Sequence, residues 1–526
     1  MARIPPLTWL SALTIAVCGL TLCASAKNAA HDTSSATSEL SAIREFVTTH
    51  RHAILDEFIQ LLKIPNIASD RSDIRRNAEA IMTMLQRRGL QPRLLTSSSD
   101  PTIPPIVFGQ WTVPNARRTL VLYAHYDGQP VNPAEWVTAP FTPTLRTAPI
   151  EKDGSVISAS DTEAAVDPET RLYARGAGDD KAGVMVILGA IDALRATHRT
   201  PTDNIKLVFE GEEEAGSPHL AELLTGHKAL LDSQLWVVCD GPVHPTGRKL
   251  VVYGARGDMN IDVTVYGAVR ALHSGHYGNW APNPAFHLAR LLASMKDEKG
   301  RILVPGWNDD AAPLGELEQQ AIKNAATYDE AIRRELGLAA TEANGSLAAA
   351  TTLPSLNING MRSANIGAQA ANVIPDSATA VLDVRLVSGN EPQRQYEKLR
   401  KFIRDKGYYV IDRPPTLDER LEHPLIANVE LRPGLYPAAR APMNDPLAHA
   451  IADAVRSSSD QAVIELPTSG GSLPLAIIEK ALGTRSISVP TANYDDNQHA
   501  ANENLRLGNL WEGIVTYAAM LTHHSP

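Results

Sequence analysis

Five polar clusters in this chain carry the residue types of metal-assisted hydrolysis. His125-Tyr126-Asp127 follows the apolar run Thr119 to Tyr123, and Asp179-Asp180-Lys181 closes a glycine-rich turn that begins at Arg175. Glu212-Glu213-Glu214 follows Ile205 to Phe209, Asp240 follows Leu235 to Cys239, and His499 lies in the polar stretch Asp496 to Glu503. Taken singly, each has an ordinary explanation. A His two residues from an Asp is often a hydrogen-bonded pair, and an acidic triplet is usually a solvated loop. Jointly, two histidines, several carboxylates and no thiol, each at the end of a strand-like run, form an oxygen- and nitrogen-rich donor set suited to a borderline metal such as zinc.

The chemistry such a set can do is specific. Two Zn²⁺ ions about 3.5–4 Å apart can share a bridging carboxylate and a bridging water, whose pKa falls towards ~7. Hydroxide is then available at neutral pH to attack an amide carbonyl. A separate carboxylate must take the water proton and pass it to the leaving amine, so it cannot be spent as a ligand. Adjacent Glu213 and Glu214 can divide those two jobs. Asp127, two residues from His125, can orient the imidazole.

Elements that could position these groups are legible. Apolar positions Leu40, Ile43, Val47, Ile54, Phe58 and Leu61 repeat with a helical period from Ser38 to Leu62, with room for a slip or a break near His50. A second helix is predicted over Asp73 to Arg88, stopped by Gly89. The strand-like runs at Thr119, Ile205 and Leu235 alternate with helices such as Lys181 to Ala196. That pattern predicts an α/β catalytic domain, a mostly parallel sheet flanked by helices. Ligands bind beyond the carboxyl ends of such strands, which is where the polar clusters fall. From about Lys249 to Leu417 the texture changes. Ile261 to Tyr266 and Thr379 to Leu386 alternate like half-buried strands, and an alanine-rich helical stretch near Gly315 to Ala350 lies between them. The expected division is a catalytic domain over 38–248 and 418–526, with an inserted α+β lid or dimerisation lobe over 249–417.

The ends and the composition bound the rest. Arg3, the apolar run Leu7 to Leu22 and Ala24-Ser25-Ala26 read as an export signal over 1–26, followed by a flexible leader over 27–37. An uncleaved anchor and, at Cys23, a lipid-modified terminus are the alternatives. No later stretch is apolar enough to span a bilayer. The expectation is an exported protein, periplasmic or secreted. Of the three cysteines, Cys18 and Cys23 lie in that segment, leaving Cys239 without an internal partner. The net charge of -10 argues against a nucleic-acid partner, which calls for a basic footprint.

The clusters Tyr123-Ala124-His125-Tyr126-Asp127, Arg175-Gly176-Ala177-Gly178-Asp179-Asp180-Lys181 and Glu213-Glu214-Ala215-Gly216-Ser217 resemble, in order and spacing, those of the M20 metallopeptidases. These include carnosinase-like dipeptidases, glutamate carboxypeptidases and aminoacylases, and the resemblance runs from about residue 40 to the end. It implies that His125 and Asp240 bind one zinc, Glu214 and His499 the other, and that Asp179, joined to Asp180 by a cis peptide bond, bridges them. It implies Asp127 as the residue holding His125 and Glu213 as general base. Leu272-His273-Ser274-Gly275-His276 is similar to the family's oxyanion-stabilising segment, often contributed by a second subunit, which implies a homodimer with His273 in that role and His276 as the competing candidate. Asn372, Arg385 and Ser472 fall in stretches that resemble the region reading the substrate carboxylate; Arg385 could equally be a strand arginine paired with Asp383. Two departures stand out: Ala182 where relatives usually have Gly, and Ala271 where many have Asp.

The resulting expectation is a zinc-dependent hydrolase, with manganese or cobalt possible in the same donors, that cleaves the amide bond of a dipeptide or small peptide bearing a free carboxylate. An N-acyl-amino-acid deacylase would use the same site. A non-catalytic metal-dependent binding protein is the reading from another class, and the presence of Glu213 beside a full ligand set opposes it.

Overall fold

The computed structural model describes residues 15–522 except 159, 160 and 162, with side chains described from Ser38 onward apart from those of Ala164 and Asn344. Of the segment 1–26 read as an export signal, residues 1–14 lie outside the described residues. The backbone from Ile15 to Leu62 is one helix, so 27–37 is helical rather than a flexible leader. The break allowed for near His50 does not occur. Thr48, Thr49 and His50 each return a side-chain hydrogen bond to the carbonyl four residues earlier, and the His50 ring stacks on Phe46. The helix runs through these positions uninterrupted, and the three side chains stay within it rather than ending it. The next helix, Arg71–Arg87, is capped by Asp70, whose carboxylate accepts the N–H groups of Ser72 and Asp73.

An eight-stranded sheet organises the larger part of the chain. Its order is Arg93–Leu95, Ile106–Trp111, Asn204–Glu210, Thr119–His125, Leu235–Val238, Arg485–Ser488, Leu250–Val252, Ile464–Leu466. The four central strands, from Asn204–Glu210 to Arg485–Ser488, run parallel. Antiparallel junctions lie on either side, which makes the whole sheet mixed. Parallel central strands buried on both faces explain their continuous apolar runs. Helices Ile15–Leu62, Lys181–Ala196 and Leu507–Thr522 cover one face, packing Ile43, Phe58, Val186, Ile187, Ile514 and Tyr517 into the main core. On the other face Phe108, Val121, Val208 and Trp236 meet helices Leu220–Gly226 and Leu475–Leu482.

A second sheet of five strands has the order Asn357–Arg362, Ser377–Leu386, Gly257–Tyr266, Ile426–Leu431, Tyr409–Ile411. The two long strands alternate in burial residue by residue, with Ile261, Val263, Val265, Ala380, Leu382 and Val384 inward. Helices Pro284–Ala293 and Pro392–Asp405 close over that face with Leu288, Leu291, Leu399 and Ile403. Packing divides the chain at different residues from the expected 249–417. Leu250–Val252 belongs to the first sheet, and the second sheet continues to Leu431. The alanine-rich stretch also changes sides. Ala321 joins the main core, and Ala325 and Ala348 pack on Leu250, Val252 and Ile464 at the edge of the first sheet. Small side chains let those helices approach the sheet edge closely, a preference that hydrophobic periodicity does not reveal. Among the described residues no helix is long and apolar enough to cross a membrane.

Candidate metal centre

Four parallel strands put four carboxyl ends on one side, and three of them deliver the site. His125 ends Thr119–His125, Glu212–Glu214 follow Asn204–Glu210, and Asp240 lies two residues past Val238. The fourth strand leads into the loop that carries His499. His125 is fully buried. Its Nε2 lies 2.9 Å from Asp179 Oδ1 and 3.6 Å from Asp240 Oδ2, and its Nδ1 lies 3.4 Å from Asp127 Oδ1. Asp179 turns its other oxygen the opposite way. Oδ2 is 3.1 Å from His499 Nε2, which is itself 3.3 Å from Glu214 Oε2. One carboxylate thus faces two histidine–carboxylate groups, and Glu213 lines the same cavity beside both.

The supports explain why these side chains converge. Asp127 accepts the backbone N–H groups of Glu213 and Glu214 at 3.1 and 3.0 Å, so the carboxylate that stands 3.4 Å from the ring of His125 also holds the acidic turn. The Asp179–Asp180 peptide bond is cis. Asp180 also faces His125 and Asp240. Its carboxylate accepts the N–H of His125 and, as cap of the helix Lys181–Ala196, that of Gly183, which gives it a structural occupation. Glycine is required at 183, because a Cβ there would lie 2.4 Å from both Asp180 Oδ1 and the Cys239 carbonyl. Ala182, where relatives usually have Gly, is buried in the main core. Lys181 is buried and donates to the carbonyls of Leu61 and Ile64, tying the turn to the end of the first long helix. Behind the turn, Glu503 accepts the N–H groups of Gly176, Gly178 and Asp179 and pairs with the buried guanidinium of Arg175 at 2.7 Å. His499 itself sits at φ 64°, between Asn497 and Asn502, which are also left-handed. Such strain in non-glycine residues clusters at functional sites.

The electrostatics describe crowded negative charge. Burial, with Asp179 nearby, pushes the Asp240 carboxyl up to about 6. Burial and the same neighbour push Glu214 up to about 8. Glu213 is raised well above the usual carboxylate range by burial and by Asp240 and Glu214. Burial alone would raise Asp179 too, yet hydrogen bonds from His125 and His499 hold it well below. His499 is pushed up to about 9, first by its hydrogen bond to Asp179. Glu214 Oε1 is buried without a hydrogen-bond partner. An orphaned oxygen among mutually repelling carboxylates, with two imidazoles in reach, is a donor set that fits divalent cations. Binding would displace the protons that the crowding now favours.

Further out, Arg385 Nη1 donates to Ser472 Oγ at 3.0 Å, and both line the cavity. Asp383 and Asp258 lie 3.2 and 3.7 Å from Arg385 Nε, so the strand pairing and the cavity position coexist. Arg256, which sequence reading missed, stands behind the loop and donates to the Gly470 carbonyl. Burial, then the charge of Arg385, lowers its pKa to about 10. Gln498 was also missed and donates to Asp179 Oδ2 at 2.8 Å. The clue to Glu503 was its place in the His499 stretch, but nothing marked it as a support. His273 and Asn372 are not brought to this cavity. They lie side by side on the second lobe, where Ser274 N–H bonds the Asn372 carbonyl, and both are exposed.

Fold, donor set and base candidate together define a metallopeptidase. The sequence model of peptidase family M20/M25/M40 matches residues 121–523, and the chain belongs to that family. It is 26% identical to the Cys-Gly metallodipeptidase of Candida albicans, over 89% of this chain and 94% of that protein. It is 27% identical to the human Beta-Ala-His dipeptidase, over 91% of this chain and 92% of that protein. Among solved structures, an M20 family metallo-carboxypeptidase from Sulfolobus solfataricus superposes with a TM-score of 0.71 at 26% identity, covering 89% of this chain and 98% of that one. These relatives correct the expectation of an exported, periplasmic or secreted protein. The comparisons with these dipeptidases give that expectation no support, and residues 1–14 of the segment that carried it lie outside the described residues.

Proposed function

We propose that this metallopeptidase is a dipeptidase, hydrolysing the amide bond of a small peptide with a free C-terminal carboxylate. The observation that carries it is the carboxylate of Asp179, which offers one oxygen to the His125–Asp240 group and the other to the Glu214–His499 group. The names of the Candida albicans and human relatives refer to dipeptides, Cys-Gly and Beta-Ala-His. In this reading His125, Asp179 and Asp240 hold one divalent cation, and Asp179, Glu214 and His499 hold a second. Zinc is the cation the donors suit, and manganese or cobalt suits them too. Bound there, the pair would polarise the scissile carbonyl and make a water acidic.

The remaining steps belong to the chain's own residues. Asp127 fixes the ring of His125 and the backbone of the acidic turn. Glu213 accepts the proton of the attacking water and returns it to the leaving nitrogen. Arg385, with Ser472, receives the substrate carboxylate through a planar fork that matches it. His273, with Asn372 beside it, acts from the second lobe of a partner copy in a homodimer, donating to the carbonyl oxygen as charge develops there. Exposure of both residues away from their own chain's cavity supports that reading. Deacylation of an N-acyl amino acid would use the same groups, and what favours the dipeptide is the relatives' chemistry.

The test is metal-depleted full-length protein, titrated with Zn²⁺ and assayed on dipeptides and N-acetyl amino acids in parallel. Turnover of dipeptides, reaching a plateau near two equivalents, is expected. A plateau at one equivalent, or turnover confined to N-acetyl amino acids, overturns the corresponding half of the proposal.

A further inference from the structure

The cavity at the metal centre is larger than its polar machinery. It encloses about 830 Å³, towards the upper end of the ~300–1,000 Å³ range of small-molecule sites. Its polar half holds Asp179, Glu213, Glu214, Asp240, Arg385 and Ser472. Its other half is walled by Leu250, Val252 and Leu466 from the edge of the first sheet, and by Ala325, Leu347 and Ala348 from the alanine-rich helices. Leu250, Val252, Ala325 and Ala348 form one buried apolar cluster. Leu347, on the same short helix as Ala348, lines the cavity yet is 51% exposed.

The two halves meet at Gly470. A Cβ on Gly470 would lie 3.8 Å from both Arg256 Nη2 and the Thr351 methyl. Thr351 follows the helix Leu347–Ala350 as its C-cap. The apolar chamber therefore begins where the arginine end of the cleft stops. The polar groups within it are already engaged. Asp329 accepts the N–H of Leu347 at 3.0 Å, and His244 packs edge-on to Tyr328 while its Nδ1 meets Thr246.

We infer that this chamber receives a large apolar side chain on the C-terminal residue of the substrate. The inference rests on the proposed dipeptide hydrolysis. A substrate with its scissile carbonyl at Asp179 and Glu213 and its carboxylate at Arg385 has both ends of that residue fixed. Gly470 stands beside Arg256 at the carboxylate end of the cleft, so the side chain of the C-terminal residue is the one nearest the chamber that opens there. Glycine would leave the apolar walls facing water, whereas leucine or phenylalanine would remove that surface from it. The preferred substrates are then dipeptides ending in a branched aliphatic or aromatic residue, in contrast to the Cys-Gly named for a relative.

The experiment compares Ala-Gly, Ala-Leu and Ala-Phe as substrates of the full-length, Zn²⁺-loaded protein, reading kcat/KM. Apolar pockets separate substrates differing by one methylene by about 10- to 200-fold, so Ala-Leu and Ala-Phe should exceed Ala-Gly by at least about tenfold. The ratio of Ala-Leu to Ala-Gly should collapse towards one in Leu347→Asp, which places a charge on a wall at an exposed position that folding tolerates. It should also collapse in Ala348→Phe, which fills the chamber. A ratio near one in the native protein, or a ratio that survives Leu347→Asp, overturns the inference while leaving dipeptide hydrolysis standing. Absence of turnover on all three dipeptides overturns hydrolysis and the chamber's role together.

Discussion

Glu503 holds Asp179 by its backbone: one carboxylate oxygen accepts the N–H of Asp179 at 3.0 Å and that of Gly178 at 2.8 Å. The other accepts Gly176 and pairs with Arg175. The residue that faces both candidate cation groups is thus aimed by a residue that touches neither. In Glu503→Gln the shape is kept, but Arg175 is left as an unpaired buried charge. Breaking such a pair costs about 3–5 kcal/mol, and loss of an outer support typically weakens metal affinity about 10–100-fold. Denaturant unfolding of the metal-free variant and chelator competition on the loaded one should show both losses. Native cation affinity in the variant would mean that Glu503 braces the fold alone.

Glu213→Gln should retain its cations and lose most turnover. The amide is nearly isosteric but cannot accept a proton, and general base catalysis typically contributes about 10²–10⁴-fold. Elemental analysis alongside kcat separates the two properties. A variant that turns over normally assigns the proton transfer to another group.

His273 and Asn372 sit together on the second lobe, away from their own chain's cavity. Chains carrying His273→Ala and chains carrying Glu213→Gln should each be nearly inactive, yet a mixture allowed to exchange subunits should recover part of the activity. Recovery requires one chain's base and the other chain's His273 in a single site. Activity that stays at the sum of the two parents, or full activity in a sedimenting monomer, argues against the homodimeric site.

His244 gives a pH signature away from the donors. Burial, then the charge of Arg248, lowers its pKa to about 4 from an ordinary 6.5, so the fold prefers the neutral ring. Its stabilising contribution is complete above pH 6.5 and is lost as the pH falls from there to about 4. Asp258, raised to about 6 chiefly by burial, contributes with the opposite sign and must be subtracted. The stability difference between the native protein and His244→Gln should therefore shrink from pH 7 to pH 4. A constant difference across that range would remove His244 from the acid response.

How much of this was legible in sequence depended on whether a residue's job left a local mark. His125, Glu213 and Asp240 were visible because each follows an abrupt end to an apolar run, and parallel strands bring those ends together; Asp179 was marked instead by the glycine-rich turn before it. The alternation at Ala380, Leu382, Val384 and Leu386 marked a half-buried strand, which the structure contains. Arg256 left no such mark: it follows a two-residue strand, and its importance comes from Gly470, far away in sequence. The alanine-rich stretch read as part of the inserted lobe because it interrupts that lobe's strands. Its packing against Leu250 and Ile464 is set by small-residue fit, not by periodicity. Composition marked the leader at 27–37 as flexible, whereas its backbone continues the first helix.

The order of strands in the first sheet has a consequence for biosynthesis. Arg485–Ser488 slots between Leu235–Val238 and Leu250–Val252, and only then can the loop bearing His499 and Glu503 reach the turn at Asp179. A chain still emerging from the ribosome holds His125, Asp179, Glu213 and Asp240 long before it holds either of those two residues. Its half-built centre lacks the brace that aims Asp179 and the histidine that completes the second cation group. The hydrolytic site is therefore completed only once Glu503 has been made, when every strand of the sheet is already available to fold around it.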